Sequence, residues 1–423
     1  MLLKNARVIN PSAEFDGVLD IRIENDLVVD LAENLVPFEG EILYDFSGKI
    51  ITPGLIDIHC HLREPGFTSK ETIKSGIDSA IAGGYTAICP MANTSPAVDN
   101  LMTLKYVIEK AKEASDIGFY PICALTKNLD GQKIVNVSEL VDNGAIAFSD
   151  DGKPLENMKL LAAALEYVDS LNSIVISHAE DSSLASGGVI NQSYVSSKLG
   201  LKGIPSITES VAIARELEVV RSLGVKYHFA HISTRRSVEL IRQAKKDGLK
   251  VTCETAPHYF SLTHNDIVHF DARFKMNPPL RSEDDLLAII EGVEDGTIDV
   301  IATDHAPHTI EEKMMPIQTA PMGIVGFETA LGLAFTKLVH QRKISIIKVI
   351  EKFTLNPSKI LNIKDQGNIQ IGSKANLTVI DPDLEWVVDS SKFKSKCKIT
   401  PFEGIKLKGK AIATVIKGKL TTI

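Results

Sequence analysis

No C-x-x-C pair occurs in the chain, and its five cysteines (Cys60, Cys89, Cys123, Cys253, Cys397) are scattered and odd in number. That pattern excludes a disulfide framework and suits thiols packed as small apolar residues in a reducing cytoplasm. No apolar run approaches the roughly 20 residues that a bilayer-spanning helix needs. The opening "MLLKNARVINPSAEFDG" meets charge and turn residues where an apolar leader would continue, so no secretory signal is expected. Basic side chains are the minority, 46 against 54 acidic, which leaves a net charge of −8 and excludes nucleic acid and anionic membrane as expected partners. Glycine-rich phosphate loops are missing as well: no strand-like run is followed by G-x-G-x-x-G or G-x-x-x-x-G-K. Internal repeats and low-complexity linkers are absent.

What the chain does have is alternation. At 423 residues it is long enough for one large domain and a smaller one. Its first fifty residues read as short strands broken by turns ("LLKNARVIN", "VLDIRIEN", "LVVDLAE", "EILYDFSG"), and the tail repeats that texture in "ANLTVIDP", "LEWVVDS" and "GKAIATVIKGK". Two β-rich ends around a different middle predict one composite β-sandwich domain, from residues 1–51 and 359–423. Between them, residues 52–358 alternate eight apolar strand-like runs with segments of helical period such as "NLMTLKYVIEKAKEAS", "LENMKLLAAALEYVDSLN" and "ESVAIARELEVVRSLG". Only a brief helix, from "VSELVDNG", fits between the third and fourth strands. The predicted fold is an α/β (β/α)8 TIM-type barrel, with a doubly wound open sheet as the alternative.

Barrel enzymes carry their chemistry at the carboxyl ends of the strands. The first strand, in "GLIDIHCHLREPG", ends in His59 and His61, which face one side because strand residues two apart do so. The fourth ends in Asp150 and Asp151, the fifth in His178, the sixth in His231 and the eighth in Asp304. Any one of these has an ordinary structural reading, as a hydrogen-bonded histidine or a helix cap. Together, four imidazoles and two carboxylates at one mouth fit Zn²⁺ or a similar ion. His228, three residues before His231, is expected to face the helix layer, and His305 to point away from Asp304. His264, His269 and His340 read as structural, while His258 is left open between lining the mouth and packing. "SKFKSKCK" reads as a solvated face, and the Met314–Met315 pair as part of a polar loop.

Taken in order, "DIHCHLREPG", "CPMANTSP", "FSDDG", "SHAED", "AHIST", "ETAPHY", "KMNPPLR", "ATDHAPH", "GSKANLTVID" and "TPFEG" resemble the type I, long bacterial dihydroorotases of the amidohydrolase superfamily. The resemblance spans essentially the whole chain. It implies a zinc-dependent cyclic amidohydrolase that interconverts N-carbamoyl-L-aspartate and L-dihydroorotate, the third step of de novo pyrimidine synthesis. It further implies two Zn²⁺ per subunit, one on His59, His61 and Asp304, the other on His178 and His231, with Asp151 bridging. Many relatives bridge with a carboxylated lysine, whereas "AIAFSD" offers none and Lys153 lies just beyond; an aspartate there agrees with the type I assignment. By the same resemblance a hydroxide between the metals is the nucleophile and Asp304 is general base, then acid. Arg63 would anchor the substrate carboxylate with Asn93 and His308, Asn277 would meet the ring amide, and Met322 and Gly323 would cover the substrate beside His61. The family commonly has Phe where this chain has Met322.

A cytoplasmic homodimer and an association with aspartate transcarbamoylase are further expectations of that kind. Two rival readings are a hydantoinase or allantoinase, which typically keeps the bridging lysine, and a non-catalytic homologue acting as a scaffold, which generally loses metal ligands.

Overall fold

Short apolar runs make strands here because β-branched and aromatic side chains fill both faces of a buried parallel ladder. In the computed structural model, which describes residues 1–423, the barrel strands are β1 (Leu55–Cys60), β2 (Tyr85–Pro90), β3 in two pieces (Gly118–Phe119 and Ile122–Cys123), β4 (Ala147–Phe148), β5 (Val175–Ser177), β6 (Tyr227–Phe229), β7 (Val251–Thr255) and β8 (Val300–Ile301). Neighbours pair in parallel in that order. The ring closes where Cys60 bridges His305 and the His61 N–H donates to the His305 carbonyl at 2.9 Å. The expected eight-stranded barrel is therefore the architecture found.

Helices Leu101–Ala114, Met158–Ser170 and Ile207–Leu223 cover the segments of helical period, and only the six-residue helix Val137–Asp142 separates β3 from β4. Asn100 and Asn157 cap the first two by accepting from the N–H groups of Thr103 and Leu160, contacts worth about 1 kcal/mol each. Inside the ring, Ile56, Ile58, Ala87, Cys89, Ile122, Ala147, Ile176 and Val300 form a small apolar plug. A register shift between Asp57 and Cys60 interrupts the pairing of β1 with β2. Through this irregularity His59 turns toward the mouth, directly after inward-facing Ile58, while Cys60 packs into the outer layer.

The composite β domain takes the form of one eight-stranded mixed sheet. Strands from the amino end (Leu2–Asn10, Phe15–Glu24, Leu27–Ala32, Leu43–Asp45, Ile50–Pro53) join strands from the carboxyl end (Leu377–Val387, Lys406–Ile416, Lys419–Thr422). The seam pairs Ile50–Pro53 antiparallel with Leu377–Ile380. Val8, Ile21, Ile51, Leu377, Val379 and Val415 share its apolar core. Thr378 ties this sheet to the barrel, its hydroxyl donating to the Gly84 carbonyl at 2.6 Å and accepting from the Leu55 N–H at 3.2 Å. In "SKFKSKCK" the lysines Lys392, Lys394 and Lys396 are solvated as expected. The alternate residues Phe393, Ser395 and Cys397 are buried against the barrel, where Glu71 and Glu328 accept from this segment.

Candidate metal centre and substrate cavity

The six expected ligands meet at the carboxyl rim, all buried. His61 Nε2 lies 3.1 Å from Asp304 Oδ1 and 3.5 Å from Asp151 Oδ2, and His59 Nε2 lies 3.6 Å from both Asp151 Oδ1 and Asp304 Oδ1. On the other side His178 Nδ1 and His231 Nε2 are 2.9 Å apart, and each is within 3.4 Å of Asp151 Oδ1. In three overlapping sets the donor atoms lie within 4.8 Å of one another, the spacing that a metal ion needs: His59 with His61 and Asp151, His59 with His231 and Asp304, and Asp151 with His178 and His231.

A divalent cation fits this donor set on physical grounds. His59 Nε2 is buried without any partner in the chain, and an unpaired buried donor or acceptor costs about 1–3 kcal/mol. Burial alone would push Asp151 and Asp304 upward, yet the surrounding histidines hold Asp151 well below, and Asp304 below, the usual carboxylate value. Burial would likewise lower His178, but Asp151 and Glu180 raise it to about 10. Buried carboxylates at this density call for positive charge, which ligated cations supply.

The two adjacent aspartates part company in the fold. Asp150 is turned to the β3 end, where its Oδ1 accepts from the N–H groups of Leu125 at 2.8 Å and Thr126 at 2.9 Å. Asp151 alone reaches the imidazoles. Three residues leave their strands through left-handed backbone: Arg63 (φ 59°), His231 (φ 32°) and Asp304 (φ 46°). Such backbone costs an L-residue about 1–3 kcal/mol and persists where the surroundings over-determine it.

That kink corrects the expectation for His228. Regular alternation would turn it to the helix layer if His231 faces inward, but the left-handed turn at His231 breaks the alternation and both point into the barrel. His228 donates and accepts within the ring, with Nδ1 2.8 Å from Thr252 Oγ1 and Nε2 3.3 Å from Glu254 Oε2. The other Glu254 oxygen lies 2.5 Å from His59 Nδ1. Glu254 carries no mark in the sequence, standing inside the strand run "KVTCETAPHY" rather than at its end. Burial opposes its charge, but His59 and His228 bring it down to about 2.

His258 is buried with Nε2 unpartnered, its ring edge-on to Tyr259, and it does not line the cavity. As expected, His305 points away from Asp304, stacking on Phe327 and facing Glu71 at 3.4 Å.

Beside the rim lies a cavity of about 240 Å³ bordered by His61, Arg63, Asn93, Asn277, His308, Met322 and Gly323 together with Asp151, His178, His231 and Asp304. Every residue expected to touch substrate is among them. Arg63 donates through Nε to the Pro307 carbonyl at 3.2 Å. His308 Nε2 contacts the Met322 carbonyl at 2.8 Å, and its Nδ1 lies 3.3 Å from Lys70 Nζ. Burial and the charges of Arg63 and Lys70 push His308 down to about 2. The neutral ring therefore donates from Nε2 to Met322 and accepts at Nδ1 from Lys70. Arg63 Nη2 lies 3.4 Å from His308 Nε2, but that nitrogen carries the proton given to Met322 and so cannot accept; with no carboxylate paired to Arg63, its terminal N–H groups are left for a ligand.

Asn93 Oδ1 accepts at 2.8 Å from His61 Nδ1, which directs His61 Nε2 to the rim. Asn277 Nδ2 donates to Glu180 at 2.9 Å, which leaves its Oδ1 without a partner. Gly323 has φ 149°, and a Cβ there would come within 2.5 Å of the Ala306 carbonyl and 2.8 Å of His308 Nε2. Only glycine lets the chain pass that closely.

Comparison with known proteins agrees with this geometry. A family model described as Dihydro-orotase-like matches residues 48–237. The dihydroorotase of Acetivibrio thermocellus is 46% identical over 420 residues, covering 99% of this chain and 98% of that protein. The dihydroorotase of Syntrophus aciditrophicus is 45% identical over 422 residues, covering 99% and 98%. Among solved structures, an L-hydantoinase (dihydropyrimidinase) from Arthrobacter aurescens superposes with a TM-score of 0.90 at 26% identity, over 100% of this chain and 95% of that one. The fold is thus shared across cyclic amidases, while full-length sequence similarity reaches the narrower group: this chain belongs to the dihydroorotase family.

Proposed function

We propose that this enzyme interconverts N-carbamoyl-L-aspartate and L-dihydroorotate, with loss of water on cyclisation, as the third step of de novo pyrimidine synthesis. The observation that carries the reading is Asp151, which belongs to two of the three ligand groups and also borders the cavity. Identity near 45% over 99% of the chain with proteins named dihydroorotase favours this substrate over a hydantoin. The metal reading is two Zn²⁺ per subunit: His59, His61 and Asp304 would hold one, His178 and His231 the other, and Asp151 would be shared between them. Nitrogen and oxygen donors of this kind suit zinc. When bound, the ions supply a water acidic enough to ionise near neutral pH and an electrophile for the amide carbonyl.

The side chains do the rest. Asp304, 3.1 Å from His61 Nε2, accepts the proton of the attacking water through its carboxylate and returns it to the departing ring nitrogen. Arg63 grips the substrate carboxylate with the N–H groups of its two terminal nitrogens, a planar fork that matches the carboxylate oxygens. Asn93 and His308 hold the anchor's surroundings, and the open Oδ1 of Asn277 accepts a ring N–H. Met322 and Gly323 close the cavity.

Steady-state turnover of dihydroorotate, measured with chelator and then with added zinc, tests the reading. Turnover should vanish on chelation and return with zinc. Activity on hydantoin or allantoin with none on dihydroorotate reverses the assignment. Asp304→Asn should keep its fold and lose about 10²–10⁴ in kcat; wild-type turnover removes Asp304 from this role. The same reading carries a cytoplasmic homodimer that associates with aspartate transcarbamoylase, which sedimentation of the protein alone and mixed with that enzyme checks.

A further inference from the structure

Lys275 and Lys313 are each 5% exposed, and neither has a carboxylate within ion-pair distance. The nearby acids are committed elsewhere: Glu312 pairs with Lys70 at 2.9 Å and Asp271 with Arg273 at 2.6 Å. A buried ammonium without partners is costly, and these two instead meet main-chain carbonyls. Lys313 Nζ donates to the carbonyls of Lys275 (3.2 Å), Pro321 (3.2 Å) and Gly323 (2.8 Å). That is one acceptor for each ammonium proton. Lys275 Nζ donates to the carbonyls of Gln318 (3.1 Å) and Ala320 (2.6 Å). The Gly323 N–H returns to the Lys275 carbonyl at 3.0 Å.

Four of these five acceptors lie in residues 318–323, the segment that puts Met322 and Gly323 on the cavity wall. Both main-chain groups of Gly323 are thereby spent, and the Met322 carbonyl is taken by His308. The Met322 N–H keeps no partner in the chain. Carboxylates in place of these carbonyls would pair the ammoniums off; carbonyls instead tie both side chains to the main chain of residues 318–323, behind the wall that Met322 and Gly323 line.

We propose that Lys313 and Lys275 are positioning residues that clamp residues 318–323 over the cavity, so that the Met322 N–H meets the substrate. The inference rests on the reading of this cavity as the substrate site, and its test is built to fail separately from that reading. Lys313→Met and Lys275→Met each keep chain length and apolar bulk while removing the donors. Hydrogen–deuterium exchange on the metal-loaded protein should show peptides covering 316–325 exchanging about tenfold faster or more in each variant. Peptides carrying His59, Asp151 and His178 should exchange at the wild-type rate, with metal content unchanged. KM for dihydroorotate should rise about tenfold while kcat stays within about threefold, the signature of lost uniform binding. Wild-type exchange of the 316–325 peptides overturns the clamp whatever the activity, and a kcat loss without a KM rise overturns its role in binding. Failure of the wild type to turn over dihydroorotate sinks the substrate reading and leaves the exchange result to decide the clamp. Should Lys313→Met not fold, Lys275→Met decides alone.

Discussion

Glu254 belongs to none of the candidate metal groups, yet it sets where the proposed ligand His59 points. Its carboxylate engages His59 Nδ1 at 2.5 Å, which leaves Nε2 to face the rim, and His228 with Thr252 steadies it from below. Partners of this kind typically account for 10–100-fold in metal affinity. Glu254→Gln keeps the shape and removes the charge, so its metal should be stripped by a competing chelator at roughly 10–100-fold lower concentration than from wild type; equal retention would falsify the role. The six proposed ligands are legible in the sequence because each stands where an apolar run stops. Glu254 is not, because it meets His59 across 195 residues only when the ring closes. His228 misleads for a local reason: period-2 counting fails at a residue with φ 32°. Asp150 and Asp151 are indistinguishable as letters and differ only in what each carboxylate reaches.

Helix Ile207–Leu223 illustrates how an element is held and what holding it costs. Glu216, fully inside the helix–barrel layer, accepts from the hydroxyls of Ser177 at 2.7 Å and Tyr227 at 3.0 Å. Burial outweighs these donors and pushes its carboxyl up to about 7. The folded state therefore binds a proton that the unfolded chain releases near its ordinary value, so stability is fullest below about pH 4.5 and declines as pH rises toward 7. Glu216→Gln removes that decline. It should raise Tm at pH 8 and leave it nearly unchanged at pH 4.5, with a gain on the order of 1–3 kcal/mol at the higher pH. An equal shift at both values would contradict the pH linkage. Helix positions of this kind are well marked in sequence by 3.6-residue spacing and by caps such as Asn100 and Asn157. The segment "SKFKSKCK" is read only by half, because the burial of Phe393, Ser395 and Cys397 depends on Glu71 and Glu328, over sixty residues away.

At the scale of the whole molecule, sheet and barrel share contacts that neither makes alone. Trp386, the only tryptophan, donates to the Gly409 carbonyl at 3.1 Å, and a Cβ at Gly332 on a barrel helix would lie 2.9 Å from its ring. Thr378 adds its two bonds to Gly84 and Leu55. Loss of the sheet uncovers the barrel, so Trp386 fluorescence and far-ultraviolet circular dichroism should report one coincident thermal transition. A fluorescence change that precedes the loss of helix would show the two parts melting independently. The closure of the ring at His305 also has a bearing on synthesis. His61 and Asp304 stand 243 residues apart, on the first and last staves of the ring. A chain leaving the ribosome thus carries His59 and His61 long before their acidic partner exists, and the cell's metal supply meets a finished receptacle only after the final stave is set.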